Sequence, residues 1–93
     1  MIIALDFDET YTCDPILWNN FIKNAMLRDH HIYCVTFRHV HEGLEVMQSV
    51  GQYVGVSNVI FTGRKAKRKF CGDMGVYIDV WIDDSPEYIV GSY

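Results

Sequence analysis

Three acidic residues lie within four positions at the end of an apolar run near the start of the chain. The segment reads "MIIALDFDETYTCD", with Asp6, Asp8 and Glu9 following the run. Crowded carboxylates cost free energy unless a cation or a proton compensates them. On an extended backbone, Asp6 and Asp8 point to the same side with Cα atoms ~6–7 Å apart. A metal ion can therefore approach both residues.

Polar side chains also follow the other apolar runs. Thr36 ends the second run and Arg38 follows it, Thr62 ends the third run, and Asp83 and Asp84 end the fourth. If these runs are parallel strands, their carboxyl ends meet at one edge of a sheet. Carboxylates, a hydroxyl group and phosphate oxygens are hard oxygen ligands of the kind that Mg²⁺ prefers. The sequence therefore predicts a magnesium site at that edge.

The elements that must position these side chains alternate along the chain. Apolar, β-branched and aromatic composition predicts strands over 2–7, 31–37, 56–62 and 77–83, with helices over 15–29, 40–53 and 65–74 between them. This order predicts an α/β fold, namely a three-layer α/β/α sandwich around a minimal Rossmann-like parallel sheet of about four strands, with helices on both faces. We expect Asp14 to cap the first helix and Pro15 to occupy its first turn.

The apolar positions of the three helices predict which sides are buried. The first helix should bury Ile16, Leu17, Phe21, Ile22, Ala25 and Met26, the second Val40, Leu44, Met47 and Val50 with Gly51 as its stop, and the third Ala66, Phe70 and Met74.

The segment "DFDET" resembles the DxDxT signature of the haloacid dehalogenase-like superfamily, whose members are mostly phosphatases. The other signatures of that family occur here in the same order: a threonine after the second strand (Thr36), a lysine at a helix start, and an acidic pair (Asp83 and Asp84). The resemblance spans about residues 1–87. It implies a Mg²⁺-dependent hydrolase of phosphomonoesters that works through an aspartyl-phosphate.

The resemblance also implies a role for each matched residue. Asp6 would be the nucleophile, and Asp8 the general acid that later activates water. Thr36 would hydrogen-bond a phosphoryl oxygen, and Thr10 would tie down the turn after the motif. The lysine, which would offset negative charge, is either Lys65 or Lys67, and the similar "G-x-x-K-R" pattern of small family members favours Lys67.

The metal ligands implied by the resemblance are acidic residues from two strand ends. Mg²⁺ would be held by the side chain of Asp6, the backbone carbonyl of Asp8 and the side chain of Asp83. Asp84 is a second candidate ligand or an orienting group.

Basic residues cluster beside the implied site. The segment "GRKAKRKF" supplies five of the eight lysines and arginines, beginning with Arg64. The formal charge of −4 argues against a nucleic-acid module that works through bulk charge. Arg38 could reach a second phosphate or pair with an acid. Arg38 and Arg64, together with Thr10 from the motif, are candidates for substrate binding. The expected substrate is a nucleotide or a nucleic-acid phosphate end.

The length of 93 residues indicates a single domain, 1–93, with no cap over its site. Residues 11–13 are the only local candidate for a lid. An open site fits a macromolecular substrate, a promiscuous small-molecule phosphatase, or a second protomer that closes the site in a homodimer. No apolar segment approaches the ~20 residues of a membrane span, and the three cysteines lack CxxC spacing, so we expect a cytoplasmic protein without a membrane partner.

Three other functions share part of this residue set. A catalytically weak metal- or phosphate-binding accessory module would need the same acids. A phosphorylatable receiver also gathers acids, a threonine and a lysine, but its phosphorylated aspartate follows the third strand, which has no acid at its end here. A nuclease site would not need Thr36 or the lysine.

Overall fold

Four short parallel strands form the centre of the molecule. The structure is a computed structural model, and it describes residues 1–91. The strands β1 to β4 are Ile2–Leu5, His31–Thr36, Val59–Phe61 and Val80–Ile82, and their order in the sheet is β3-β2-β1-β4. The helices α1 to α5 are Pro15–Leu27, Leu44–Gln48, Gly51–Val54, Lys67–Asp73 and Glu87–Val90. The predicted α/β fold with a four-stranded parallel sheet is confirmed.

The chain crosses from one side of β1 to the other as it builds the sheet. It adds β2 and then β3 on one side, and β4 pairs with the opposite side of β1. The strand order therefore reverses between β1 and β4, which is where ligands bind in open sheets of this type.

Each strand is shorter than the sequence predicts. The backbone leaves the sheet after Leu5 and Thr36, although the amide of Asp6 still donates to the carbonyl of Ile82 at 2.9 Å. Residues 56–58 form a 3₁₀ turn instead of the start of β3. The polar residues after each strand thus lie outside the regular strands, where the side chains of successive residues need not alternate between two faces.

Apolar side chains cover both faces of the sheet, as an α/β/α sandwich requires. On one face, Ile3, Leu5 and Cys34 pack with side chains of α1, α2 and α3. On the other face, Ala4 and Val35 pack with Cys71 of α4. The alternation of neighbouring strand residues between the two clusters explains the nearly continuous apolar runs in the sequence.

The start of α1 is confirmed, but part of its predicted buried side is wrong. The Asp14 side chain accepts a hydrogen bond from the Leu17 amide at 3.1 Å, and Pro15 follows it. Ile16, Leu17 and Met26 are exposed, whereas Ile22 and Ala25 are buried with Trp18 and Phe21 packed beside them. The sheet contacts a narrower stripe of the helix than its apolar residues cover.

The single helix predicted over 40–53 is wrong. It is a 3₁₀ turn followed by α2 and α3, and Gly51 begins α3 instead of ending a helix. A Cβ atom on Gly51 would lie 3.3 Å from the carbonyl oxygen of Val46, so the break brings two backbones close together. The buried positions are consequently Val46, Val50 and Val54, and Val40 and Leu44 are exposed.

The helix α4 begins at Lys67, two residues later than predicted. Its buried side chains are Lys67 and Cys71, Phe70 is partly buried, and Met74 is exposed. A buried lysine in the first turn breaks the apolar periodicity that the sequence prediction followed.

No helix within residues 1–91 is long and apolar enough to cross a membrane.

Candidate functional site

The turn after β1 directs the two aspartates of the motif into different surroundings. Backbone hydrogen bonds from Thr10 to Phe7 and from Tyr11 to Asp6 close this turn, at 3.4 and 3.3 Å. Glu9 adopts a left-handed backbone conformation with φ of +62°. Because the chain is not extended here, the expectation that the side chains of Asp6 and Asp8 share one side is wrong.

Asp6 belongs to a buried network that joins three elements. Lys67 Nζ lies 2.8 Å from Asp6 Oδ1 and 2.5 Å from Asp83 Oδ2. The exposed fractions of the three side chains are 1% for Lys67, 8% for Asp6 and 3% for Asp83. A charge this deeply buried is tolerated only when it is paired and hydrogen-bonded, and Lys67 has two carboxylate partners.

Thr10 connects this network to the second residue of the acidic pair. Its hydroxyl lies 3.2 Å from Asp6 Oδ2 and 3.3 Å from Asp84 Oδ1. It thereby ties the turn after β1 to the turn after β4, which extends the role predicted for it.

Three carboxylates converge closely enough to share a metal ion. One oxygen atom from each of Asp6, Asp83 and Asp84 lies within 4.8 Å of the others. Each carboxylate oxygen has two lone pairs, so the bonds to Lys67 and Thr10 leave acceptor capacity. The donor set consists of hard oxygens, and it fits Mg²⁺. The Asp8 side chain, in contrast, lies outside this cluster.

This network contains more acidic groups than cationic groups, and burial and this imbalance affect the pKa of Asp6. Burial raises the pKa of Asp6 to about 7, although Lys67 opposes the rise, and the neighbouring Asp83 adds to it. Burial also opposes the charge on Lys67, but Asp6 and Asp83 together raise the pKa of its ammonium group. Without a metal ion, Asp6 therefore changes between its protonated and ionised forms near pH 7, beside a charged Lys67.

Asp8 belongs to a second, more exposed network. Arg38 donates two hydrogen bonds to the Asp8 carboxylate, from Nε to Oδ2 at 2.9 Å and from Nη2 to Oδ1 at 2.7 Å. Arg38 Nη1 contacts Glu45 at 2.5 Å and the carbonyl oxygen of Glu42 at 2.9 Å. Of the two roles left open for Arg38, pairing with an acid is the one that the structure shows.

The two networks border one cleft of about 550 Å³. Arg64 also lines it; its guanidinium donates to the Phe37 carbonyl at 2.9 Å and to Glu42 Oε2 at 3.0 Å. The lining residues are Asp6, Asp8, Glu9, Phe37, Arg38, Glu42, Arg64, Lys67, Asp84, Ser85 and Tyr88. Acidic and basic groups therefore face each other across a space large enough for a phosphate ester.

Four predicted site residues do not line this cleft: Thr10 and Asp83, which belong to the buried network, and Lys65 and Thr36. Lys65 is exposed before the start of α4, so of the two candidate lysines only Lys67 contacts the acids. Thr36 is fully buried, and its hydroxyl accepts a hydrogen bond from the Arg38 amide at 3.3 Å. The lid expected over 11–13 is also wrong at its first residue, because Tyr11 is buried and stacks on Phe7.

Sequence reasoning missed several residues of the cleft. Glu42 accepts from the His39 amide in a capping arrangement, and the x-x-E spacing after His39 is a signal that could have indicated it. Phe37 and Tyr88 stack with ring centroids 4.3 Å apart. Tyr88 comes from α5, an element that the sequence analysis does not predict.

Comparison with protein-family models, curated proteins and solved structures gives no match. The resemblance to haloacid dehalogenase-like phosphatases therefore rests on the four motifs and their order.

Proposed function

We propose that the protein is a Mg²⁺-dependent phosphomonoesterase. The observation that carries the proposal is the arrangement at the β1–β4 crevice, where Asp6 is held by Lys67 and Thr10 beside Asp83 and Asp84. A second carboxylate, that of Asp8, borders the same cleft with two arginines. A nucleophile, an acid and cationic groups are the parts that phosphoryl transfer needs.

In the proposed reaction, a carboxylate oxygen of Asp6 attacks phosphorus and the bond to the leaving oxygen breaks. Asp8 gives its proton to that oxygen, so the alcohol departs neutral and the phosphoryl group stays on Asp6. Asp8 then accepts a proton from a water molecule that attacks the aspartyl-phosphate. Inorganic phosphate leaves, and Asp6 is restored.

The residues around Asp6 prepare it for this attack. Lys67 keeps a positive charge within 2.8 Å of the nucleophile, which lowers the repulsion between a carboxylate and an anionic phosphate. Asp6, Asp83 and Asp84 are the residues that would hold Mg²⁺. When bound, Mg²⁺ supplies further stabilisation of the charge that develops on the phosphoryl oxygens.

Arg38 links substrate binding to the acid. It donates to both carboxylate oxygens of Asp8, so the group that must protonate the leaving oxygen is held by another partner. A phosphate dianion is a strong bidentate partner for a guanidinium. When a phosphate takes over Arg38, the oxygens of Asp8 are released from the guanidinium and can face the leaving group.

The test is the release of inorganic phosphate from p-nitrophenyl phosphate with Mg²⁺ and after chelation. We expect turnover by the parent protein with Mg²⁺, and loss of turnover on chelation and in Asp6→Asn. Asp29→Asn is a matched control, because Asp29 is exposed and its left-handed conformation suits asparagine. Stoichiometric phosphorylation without turnover would indicate a receiver, and cleavage of bis(p-nitrophenyl) phosphate would indicate a nuclease.

A binding module is the second candidate, and one observation favours it. Both aspartates of the motif are engaged by basic side chains, Asp6 by Lys67 and Asp8 by Arg38. Saturable binding of Mg²⁺ and phosphate by calorimetry, without release of phosphate from any ester, would support this function over catalysis.

A further inference from the structure

A second cavity lies beside the candidate site, against α4. It has a volume of about 560 Å³, and its lining includes Arg64, Lys65, Lys69, Phe70 and Met74. We call it the α4 groove. Arg64 lines both the groove and the cleft that contains Asp6, so the two spaces share a wall.

The groove is lined by three of the eight basic side chains of an acidic protein, Arg64, Lys65 and Lys69. Five of the eight basic residues lie between 64 and 69, in a chain with a formal charge of −4. Lys67 is buried in the candidate site, and the other four are exposed. Lys69 pairs with Asp73 at 2.9 Å, but an exposed pair of this kind holds its partners weakly. A polyanion therefore meets favourable charge here and unfavourable charge over much of the remaining surface.

Apolar side chains line the groove together with these cations. Phe70 is partly buried against the sheet, and Met74 is 57% exposed. An aromatic side chain that shares a groove with lysines suits nucleobases joined by phosphates, because stacking and phosphate contacts can then be made together. A single phosphate ion would use only the cationic part of the groove.

We propose that the α4 groove holds the nucleotides next to the terminal phosphate of a single-stranded nucleic acid. The inference rests on the proposed function, since it places the terminal phosphate in the cleft at Asp6. Arg64 lies at the junction, where its guanidinium is anchored by the Phe37 carbonyl and Glu42. The next phosphate along the strand would then meet Lys65 and Lys69.

The test compares two substrates and three proteins. The substrates are a single-stranded oligonucleotide with a terminal phosphate and p-nitrophenyl phosphate. The proteins are the parent, the double variant Lys65→Gln/Lys69→Gln, and the control Lys23→Gln, whose exposed lysine lies on α1. We expect the parent to prefer the oligonucleotide, and the double variant to lower the ratio of the two kcat/KM values about threefold or more.

The dependence on salt gives an independent measure. The plot of log kcat/KM against log salt for the oligonucleotide should become shallower by about 0.7 for each lysine–phosphate contact removed. The control should keep the slope and the ratio of the parent. An unchanged ratio and slope in the double variant would overturn the inference, and so would a preference of the parent for p-nitrophenyl phosphate over the oligonucleotide.

Failure of the proposed function would look different. If no ester is hydrolysed, fluorescence anisotropy of the labelled oligonucleotide still measures its binding to the protein. Weaker binding by the double variant than by Lys23→Gln would uphold the inference, and equal binding by both would contradict it.

Discussion

Two carboxylates only two residues apart meet opposite surroundings in this molecule. Asp6 lies in a buried network with Lys67 and Asp83, whose side chains are 1% and 3% exposed. Asp8 lies in an open network with Arg38 and Glu45, and its own side chain is 49% exposed. One turn of backbone separates the two networks.

The difference gives the two aspartates of one short motif different chemical surroundings. Burial shifts the balance between the charged and neutral forms of Asp6, whereas Asp8 is paired with Arg38 in contact with solvent. Different environments can give paired carboxyl groups different roles. In the proposed reaction, the buried carboxylate forms the covalent bond and the open one moves the proton.

The largest effect expected from breaking this division is on activity. Asp8→Asn should lower kcat/KM for phenyl phosphate, a substrate with a poor leaving group, by about 10²- to 10⁴-fold, because no acid protonates the leaving oxygen. The loss should be smaller for p-nitrophenyl phosphate, whose leaving group departs as an anion. Asp6→Asn should remove activity on both substrates. Equal losses on the two esters in Asp8→Asn would contradict an acid role for Asp8.

The next largest effect concerns stability. Lys67→Met leaves Asp6 and Asp83 buried without their cation, and we expect a loss of about 3–5 kcal/mol in the free energy of unfolding at pH 8. Arg38→Met removes the cation of the open network and should cost about 1 kcal/mol, because solvent screens the remaining acids. Urea unfolding of the two variants measures both values. Similar losses would mean that burial does not distinguish the networks.

A third test uses pH, in the presence of a chelator. The pKa of Asp6 is about 7 in the folded protein against an ordinary value of 3.8, so the fold favours the protonated form. The stability that the folded protein gains from protonated Asp6 is fully present below pH 3.8 and is lost as the pH rises through 7. The side chain at position 6 of the Asp6→Asn variant cannot ionise, so the variant does not lose this stability as the pH rises. The free energy of unfolding of the variant minus that of the parent should therefore increase between pH 4 and 8, by an amount on the order of 2–4 kcal/mol. A difference that stays constant with pH would contradict the raised pKa.

The smallest effect is expected at the edge of the open network. Glu45→Gln removes one partner of Arg38, but the Glu45 side chain is 64% exposed and Arg38 keeps its two bonds to Asp8. We expect a loss of about 0.2–1 kcal/mol by urea unfolding, and a smaller loss at high salt. A loss as large as that of Lys67→Met would show that the open network is as tightly coupled as the buried one.

The sequence predicts the sheet well because its strands are local apolar runs. The sequence also predicts that Asp6, Asp83 and Lys67 lie close together, because the carboxyl ends of parallel strands must meet at one edge of the sheet. The cap at Asp14 is confirmed for a similar reason, since capping depends on adjacent residues only.

Errors occur where tertiary packing decides between local alternatives. Ile16 and Leu44 are apolar but exposed, because the sheet covers less of each helix than periodicity predicts. The side chain of Asp8 would lie beside that of Asp6 only on an extended backbone, and the turn over residues 7–10 is not extended. Its partner Arg38 comes from the segment after β2, 30 residues along the chain, and no local pattern specifies that pair.

Glu9 shows what the turn itself requires. Its backbone has a φ of +62°, a conformation that glycine and asparagine adopt at little cost and other residues adopt at roughly 1 kcal/mol. Its amide donates to the Thr12 hydroxyl at 3.0 Å, and this bond uses the backbone of position 9 and not its charge. Replacement by glycine or asparagine would keep the bond and relieve the conformation. The negative charge of Glu9 is thus dispensable for the shape of the turn.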